Sequence, residues 1–144
     1  IYTGEDTLSL HDALPILFSK VKYLGKVPYQ QIQEYIRKAN VCVFPTFAET
    51  LGMVTIESMA MQKAVVNSNI GWSEELIDDG INGFLVNPKD HDLYAARIVE
   101  LLDDDALCLK LGKSAQQKVA QKFDIEKKVP ENIAFYDRII KDKK

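Results

Sequence analysis

Residues 41–67 read VCVFPTFAETLGMVTIESMAMQKAVVN, and the fold class follows from this stretch. VCVF (41–44) is an unbroken apolar run that stops at Pro45, and AVVN (64–67) is a second one. Both have the β-branched content of a strand covered on its two faces. Between them GMVTIESMAMQ, rich in alanine and methionine, has helical character and is entered near Gly52 through the loop 45–51. Two buried strands joined through a helix need a crossover connection, which makes the strands parallel.

Working outward, VKYL (21–24) reads as a strand ending at Gly25. Pro28 then opens YQQIQEYIRKAN, where Ile32, Ile36 and Ala39 recur at helical spacing and Asn40 supplies a left-handed terminus. Downstream, Ser73 is expected to cap a short helix through EELID that Asp78-Asp79-Gly80 ends, and Asn82-Gly83 turns into a strand, Phe84-Leu85-Val86. From Asp90, with His91 at a helix start, the pattern is helical. It runs through LYAARIVELL, LCLKLGKSAQQKVAQKF and a last segment, 125–140, that Pro130 should restart or kink. Ile1-Tyr2-Thr3 suits one further strand. Strands alternating with helices predict an α/β domain, a Rossmann-like open parallel sheet flanked by helices.

The chain has 144 residues, 47% hydrophobic and 27% charged, which excludes collagen-like, low-complexity and disordered classes. Residues 1–109 hold 8 Lys+Arg against 16 Asp+Glu, whereas residues 110–144 hold 10 against 5. Lys110, Lys113, Lys118, Lys122, Lys127 and Lys128 read as a solvated helix face, or as a peripheral contact with an anionic membrane surface. No aromatic-interleaved basic run or zinc spacing points to nucleic acid. Cys42 and Cys108 lack metal-ligand spacing, and Cys42 reads as a small buried hydrophobe, which fits a reducing cytoplasm. The sequence has no apolar run of membrane-spanning length and no signal-peptide pattern at residue 1. Residues 7–16, TLSLHDALPI, match one reading frame of a common sequencing adapter codon for codon. The segment 1–16 is therefore set apart, and His11 and Asp12 receive no role.

In a sheet of this kind ligands bind beyond the carboxyl ends of the strands. The loop after Phe44 is the most unusual, with Glu49 and Glu57 separated by seven residues. The helical neighbours of Glu57, namely Met53, Val54, Ala60 and Met61, are all apolar, and a carboxylate buried among them needs hydrogen-bond donors. Ligand hydroxyls would supply them, and so would Lys63 or loop amides. Glu49 would lie near the positive end of the helix, which stabilises a carboxylate with or without a function. The free amides around Leu51, Gly52 and Met53 suit a diphosphate there. An anion between two carboxylates describes a molecule with phosphates at its centre and hydroxyls at both ends, as in a nucleotide sugar.

These residues resemble the Glu, seven residues, Glu motif of the retaining glycosyltransferases of family four. The likeness extends through VKYLGKV (21–27), ANVCVFPT (39–46), IESMAMQKAVVNSNIGWSEELIDDGINGFLVNPKD (56–90) and LYAARIVELL, so it covers residues 20–144. It implies one half, truncated, of a GT-B fold: the C-terminal nucleotide-sugar-binding domain at 17–144, with the N-terminal acceptor domain absent. It further implies that Glu57 binds the ribose hydroxyls and that Glu49 is the catalytic residue at the donor sugar. Leu51, Gly52 and Met53 would face sugar and phosphates, with Val27 beside the base. No metal and no cofactor are implied; the donor is a nucleoside-diphosphate sugar of UDP or GDP type. The acceptor would be a glycan or lipid-linked glycan of cell-surface polysaccharide synthesis. By the same likeness the last helix packs on the N-terminal domain, so Ile133, Phe135, Tyr136 and Ile139 would be exposed in this chain.

Thr50-Leu51 stands where many members have Gly-Phe, Gln62 where they have glycine, and Gly71-Trp72 for a usual Gly-Gly. Trp72 either lines a sugar cleft or packs against the helix after it. The family's diphosphate-gripping Arg and Lys are not found, so the chain is expected to be inactive alone. A non-catalytic nucleotide or nucleotide-sugar module, or an interaction domain with structural glutamates, would carry the same pattern. A hydrolase would not: Gly-x-Ser-x-Gly is missing, and His91 is the one histidine outside the adapter-like segment.

Overall fold

The computed structural model describes residues 21–141, so the expected strand at Ile1-Tyr2-Thr3 and the adapter-like segment lie outside the described residues. The chain divides into two compact units, residues 1–32 and 33–144. In the first, residues 21–28 are irregular up to the start of α1 (Tyr29–Lys38). The strand expected at 21–24 does not form: Val21, Tyr23 and Leu24 are exposed, and an apolar run becomes a strand only through a paired neighbour that also covers it.

The second unit holds β1 (Val41–Phe44), α2 (Met53–Ala60), β2 (Ala64–Ser68), α3 (Ser73–Leu76), β3 (Phe84–Val86), α4 (His91–Asp103), α5 (Asp105–Lys122) and α6 (Ile125–Lys141). Its sheet has three strands in the order β1-β2-β3, all parallel, with Val41 opposite Ala64 and Val66 opposite Phe84. Every residue of central β2 is buried, as expected of a parallel strand covered on both faces. Ala64 and Val66 join Phe84, Val86, Tyr94, Leu101 and Leu111 in one core cluster. Val65 points to the opposite side, where a Cβ on Gly83 would meet both its side chain and that of Ile77. The Tyr94 hydroxyl donates to Val66 O (3.2 Å), which ties α4 to the middle of the sheet.

The helix ends show what the sequence foretold and what it did not. Asp90 caps α4 by accepting from Leu93 N–H (3.0 Å), and Asp104 caps α5 in the same way through Leu107 N–H (2.9 Å). Asn40 is not left-handed. The Lys63 ammonium donates to Arg37 O (2.7 Å) and Ala39 O (2.8 Å), so the last carbonyls of α1 are served from β2's approach and need no left-handed cap. Ser73 is inside α3 and Trp72 is its N-cap; the Ser73 hydroxyl donates backward to Ile70 O instead. That helix already ends at Leu76, before the Asp78-Asp79-Gly80 stop. Pro130 lies inside one continuous α6 rather than restarting it. It sits in the second turn, where its ring costs one main-chain bond, that to Glu126 O.

Lys118 departs from the solvated-face reading. Its side chain is only 11% exposed and its ammonium lies 2.8 Å from Asp78 Oδ2, a carboxylate that Asn82 Nδ2 also donates to (2.8 Å). The Lys118 hydrogen bond holds the Asp78 carboxyl below its ordinary pKa. A depressed folded pKa stabilises above the unfolded value of about 3.9, and the benefit is lost as pH falls through the folded value. Asp78 is half exposed, so solvent limits the pair to about 1 kcal/mol or less. Urea unfolding of wild type and Asp78→Asn is expected to differ by that amount near pH ~6, with the gap closing as pH falls below about 4. A gap independent of pH would assign the loss to the Asn82 turn alone.

Candidate functional site

The carboxyl ends of β1 and β2 lie side by side, with Phe44 opposite Asn67. The buried Ser68 hydroxyl donates to Phe44 O (3.2 Å) and so fixes the two strand ends where their loops begin. The loop after β1 carries Glu49 and ends at Gly52, which is left-handed (φ +68°) and serves as the N-cap residue of α2. The first bond of that helix runs from Ile56 N–H to Gly52 O (3.1 Å). Its opening amides at Met53, Val54 and Thr55 therefore stand outside the ladder, at the positive end of the helix.

Glu49 is exposed, and its Oε1 accepts from the N–H of Thr50 (2.9 Å). A Cβ on Gly52 would come within 3.6 Å of Glu49 Cγ, so the glutamate side chain lies over the entrance to α2. The loop after β2 closes on the same place from the other side. Gly71 is left-handed (φ +63°), and a Cβ there would fall 2.3 Å from Glu49 O. The two loops thus touch main chain to main chain. The sequence alone did not reveal this contact; the one signal for it is a glycine in the short loop between a strand and a helix.

Glu57 is half-buried, one turn into α2. Its setting differs from the apolar burial expected of it. Thr55, Ile56, Ser58 and Met59 face the interior, whereas Met53 and Val54 are 60% and 44% exposed and Ala60 is exposed too. An eight-residue helix turns only a narrow stripe inward, and Glu57 lies off that stripe. Its carboxylate therefore needs no ligand to offset burial, and the case for it rests on position. Leu51 and Met53 are exposed at the mouth of the same end, as are Phe47 and Trp72. Glu49, Leu51, Gly52, Met53 and Glu57 are brought together on one loop and one helix of the second unit. Val27 belongs to the first unit, half-buried in irregular backbone.

Burial pushes the Cys42 thiol above its usual pKa, with a Ser58 hydrogen bond and the Lys63 charge pulling back. It is the inert small hydrophobe that the sequence suggested. Among the described residues no cluster of metal-ligating side chains occurs, and no helix is long and apolar enough to cross a membrane. Ile133, Phe135, Tyr136 and Ile139 of α6 are exposed.

A family model described as "Glycosyl transferases group 1" matches residues 4–118. An uncharacterized glycosyltransferase of Methanocaldococcus jannaschii is 31% identical over 109 residues, covering 76% of this chain and 31% of that protein. Sucrose-phosphate synthase from Thermosynechococcus elongatus is similar in structure, with a TM-score of 0.83 and 28% identity over 93% of this chain and 34% of its own. The Anabaena protein HepE in complex with UDP-glucose gives a TM-score of 0.75 and 27% identity over 88% of this chain and 36% of its own. The chain spans less than a third of the length of the curated relatives it matches. Its parallel sheet flanked by helices matches the Rossmann-like architecture of GT-B glycosyltransferases.

Proposed function

The chain belongs to the glycosyl transferases group 1 family, and from that membership we propose that it is the donor-binding part of a retaining glycosyltransferase. The observation that carries this reading is the layout at the amino end of α2: free amides beside left-handed Gly52, with Glu49 folded over them and Glu57 one turn on. A nucleoside-diphosphate sugar fits it in one orientation. The diphosphate takes the amides of Leu51, Gly52 and Met53, the ribose hydroxyls donate to Glu57, and the sugar lies at Glu49. UDP is the nucleotide favoured by likeness to a structure holding UDP-glucose, with GDP the other type this arrangement accepts.

In the transfer, the bond between the anomeric carbon and the diphosphate oxygen breaks, and the acceptor oxygen bonds to that carbon on the same face. The leaving phosphate takes the acceptor's proton, and Glu49 stabilises the positive charge that develops on the sugar. Likeness to a capsular polysaccharide enzyme of Staphylococcus aureus favours a glycan or lipid-linked acceptor. We place acceptor binding on parts of a longer polypeptide, because the relatives are several times the length of this chain. On this reading the 144-residue chain binds donor without turning it over.

Titration calorimetry of the chain with UDP tests the reading. Glu57→Gln keeps the shape and removes the charge that strengthens bonds from the ribose hydroxyls, so UDP is expected to bind about tenfold more weakly. The melting temperature should change little, since Glu57 is only half-buried and glutamine keeps its length and hydrogen-bonding capacity. Unaltered UDP affinity with a lowered melting temperature would make Glu57 a structural residue and remove the carboxylate from the site.

A further inference from the structure

Trp72 is the single tryptophan of the chain, and 58% of it is exposed. A side chain packed against the following helix would be covered; this one is not. The exposure does not come from a loose loop. Gly71, just before it, rests its backbone on the Glu49 carbonyl, and just after it the Ser73 hydroxyl donates to Ile70 O. Trp72 O itself accepts from Glu75 N–H (3.0 Å) as α3 begins. The indole is thus a large flat apolar surface on a pinned backbone, one residue from the wall of the donor site. A pyranose ring offers such a surface its patch of C–H groups while its hydroxyls reach polar partners elsewhere.

The layout of α2 decides which sugar. With the diphosphate on the opening amides and the ribose toward Glu57, the hexose lies on the opposite side of the phosphates. That is the side of Glu49, and therefore of the Gly71-Trp72 loop that touches it. Resting on the donor reading above, we propose that Trp72 is the stacking platform for the hexose of the nucleoside-diphosphate hexose. It determines specificity for the sugar and leaves the nucleotide untouched.

A lone tryptophan makes its own reporter. The chain is titrated with UDP-glucose and with UDP, following tryptophan emission and calorimetric heat in parallel for wild type, and calorimetric heat alone for Trp72→Ala and Trp72→Tyr, which hold no tryptophan. UDP-glucose is expected to change the emission of wild type with the same midpoint as the heat, and UDP to leave it nearly unchanged. Trp72→Ala is expected to weaken UDP-glucose about fivefold to tenfold with UDP within about twofold, and Trp72→Tyr to recover most of the loss. Far-ultraviolet circular dichroism confirms that each variant is folded. Binding of UDP-glucose with unmoved emission, or equal weakening of both ligands by Trp72→Ala, overturns the proposal and leaves the donor reading standing. Absence of heat with either ligand in wild type overturns the donor reading and the platform with it.

Discussion

Gly71→Ala is expected to weaken UDP-glucose binding by well over tenfold while leaving the domain folded. Two costs arise at this position. The left-handed backbone (φ +63°) strains any residue with a Cβ, by about 1–2 kcal/mol. The new methyl would also fall 2.3 Å from Glu49 O, where ordinary contact begins more than an ångström further out, so one of the two loops must retreat. The loop after β1 is the one free to move. Glu49 and its neighbours Ala48 and Thr50 are exposed, whereas the Gly71 loop is pinned through Ser73 and Asn69, whose N–H donates to Val86 O (3.0 Å). Retreat carries Glu49 away from the entrance to α2, and on the proposed donor reading the sugar then loses its bonds to the carboxylate, where one hydrogen bond to a charged group is worth about 1.5–3 kcal/mol, or about tenfold to a hundredfold in affinity. Folding stability should fall by only about 1–2 kcal/mol, the price of the strain itself. Calorimetry with UDP-glucose, paired with urea unfolding of the same variant, separates the two. Affinity within twofold of wild type would show that the loops do not depend on each other and would detach Glu49 from the site.

The elements of this domain were readable wherever a local pattern suffices. Runs such as VCVF and AVVN form the strands expected of them, AVVN fully buried in the centre and VCVF only half-buried at the edge of the described sheet, and the apolar spacing from Pro28, Asp90 and Leu107 gives helices whose order already implies a parallel sheet. What escaped the sequence is held by partners far along the chain. Asn40 looked like a left-handed terminus because the lysine that serves the α1 carbonyls lies more than twenty residues away. VKYL has the composition of a strand, but composition does not supply the neighbour a strand requires. Glu57 stood out in the sequence as a candidate for a reason that the fold corrects. Its apolar neighbours suggested burial, yet on so short a helix Met53, Val54 and Ala60 are exposed and only Met61 is half-buried, and its position one turn beyond the opening amides of α2 is what remains. Glu49 was legible in position and not in support, since no pattern within the loop announces a glycine on another strand's loop pressed against its carbonyl.

A second glycine sits at the opposite end of α2, and there the expected effects reverse. A Cβ on Gly112 of α5 would fall 2.1 Å from Gln62 O and 2.9 Å from Gln62 C, both main-chain atoms. Gln62 is the one non-glycine with a left-handed backbone among the described residues (φ +60°). It is kept in that conformation by α5: its Nε2 donates to Gln116 Oε1 (2.6 Å), and Gln116 Nε2 donates to Ala60 O (3.1 Å). A methyl at Gly112 drives α5 off this turn, so it breaks the clamp of Gln116 and opens the packing of the fully buried Leu111 and Ala115. Overpacking of this kind costs about 3 kcal/mol, and the lost clamp adds about 1 kcal/mol more. Thermal and urea unfolding of Gly112→Ala should therefore reveal a loss of about 4 kcal/mol, a large part of a small domain's stability. Gln116→Ala, which removes the clamp without overpacking, should lose about 1–2 kcal/mol. Because the contact lies at the far end of α2 from Gly52, the molecules of Gly112→Ala that remain folded should bind UDP nearly as wild type does. A loss below about 1 kcal/mol would mean that α5 accommodates the methyl by sliding, and that the left-handed turn at Gln62 is held by its own chain and not by the helix beside it.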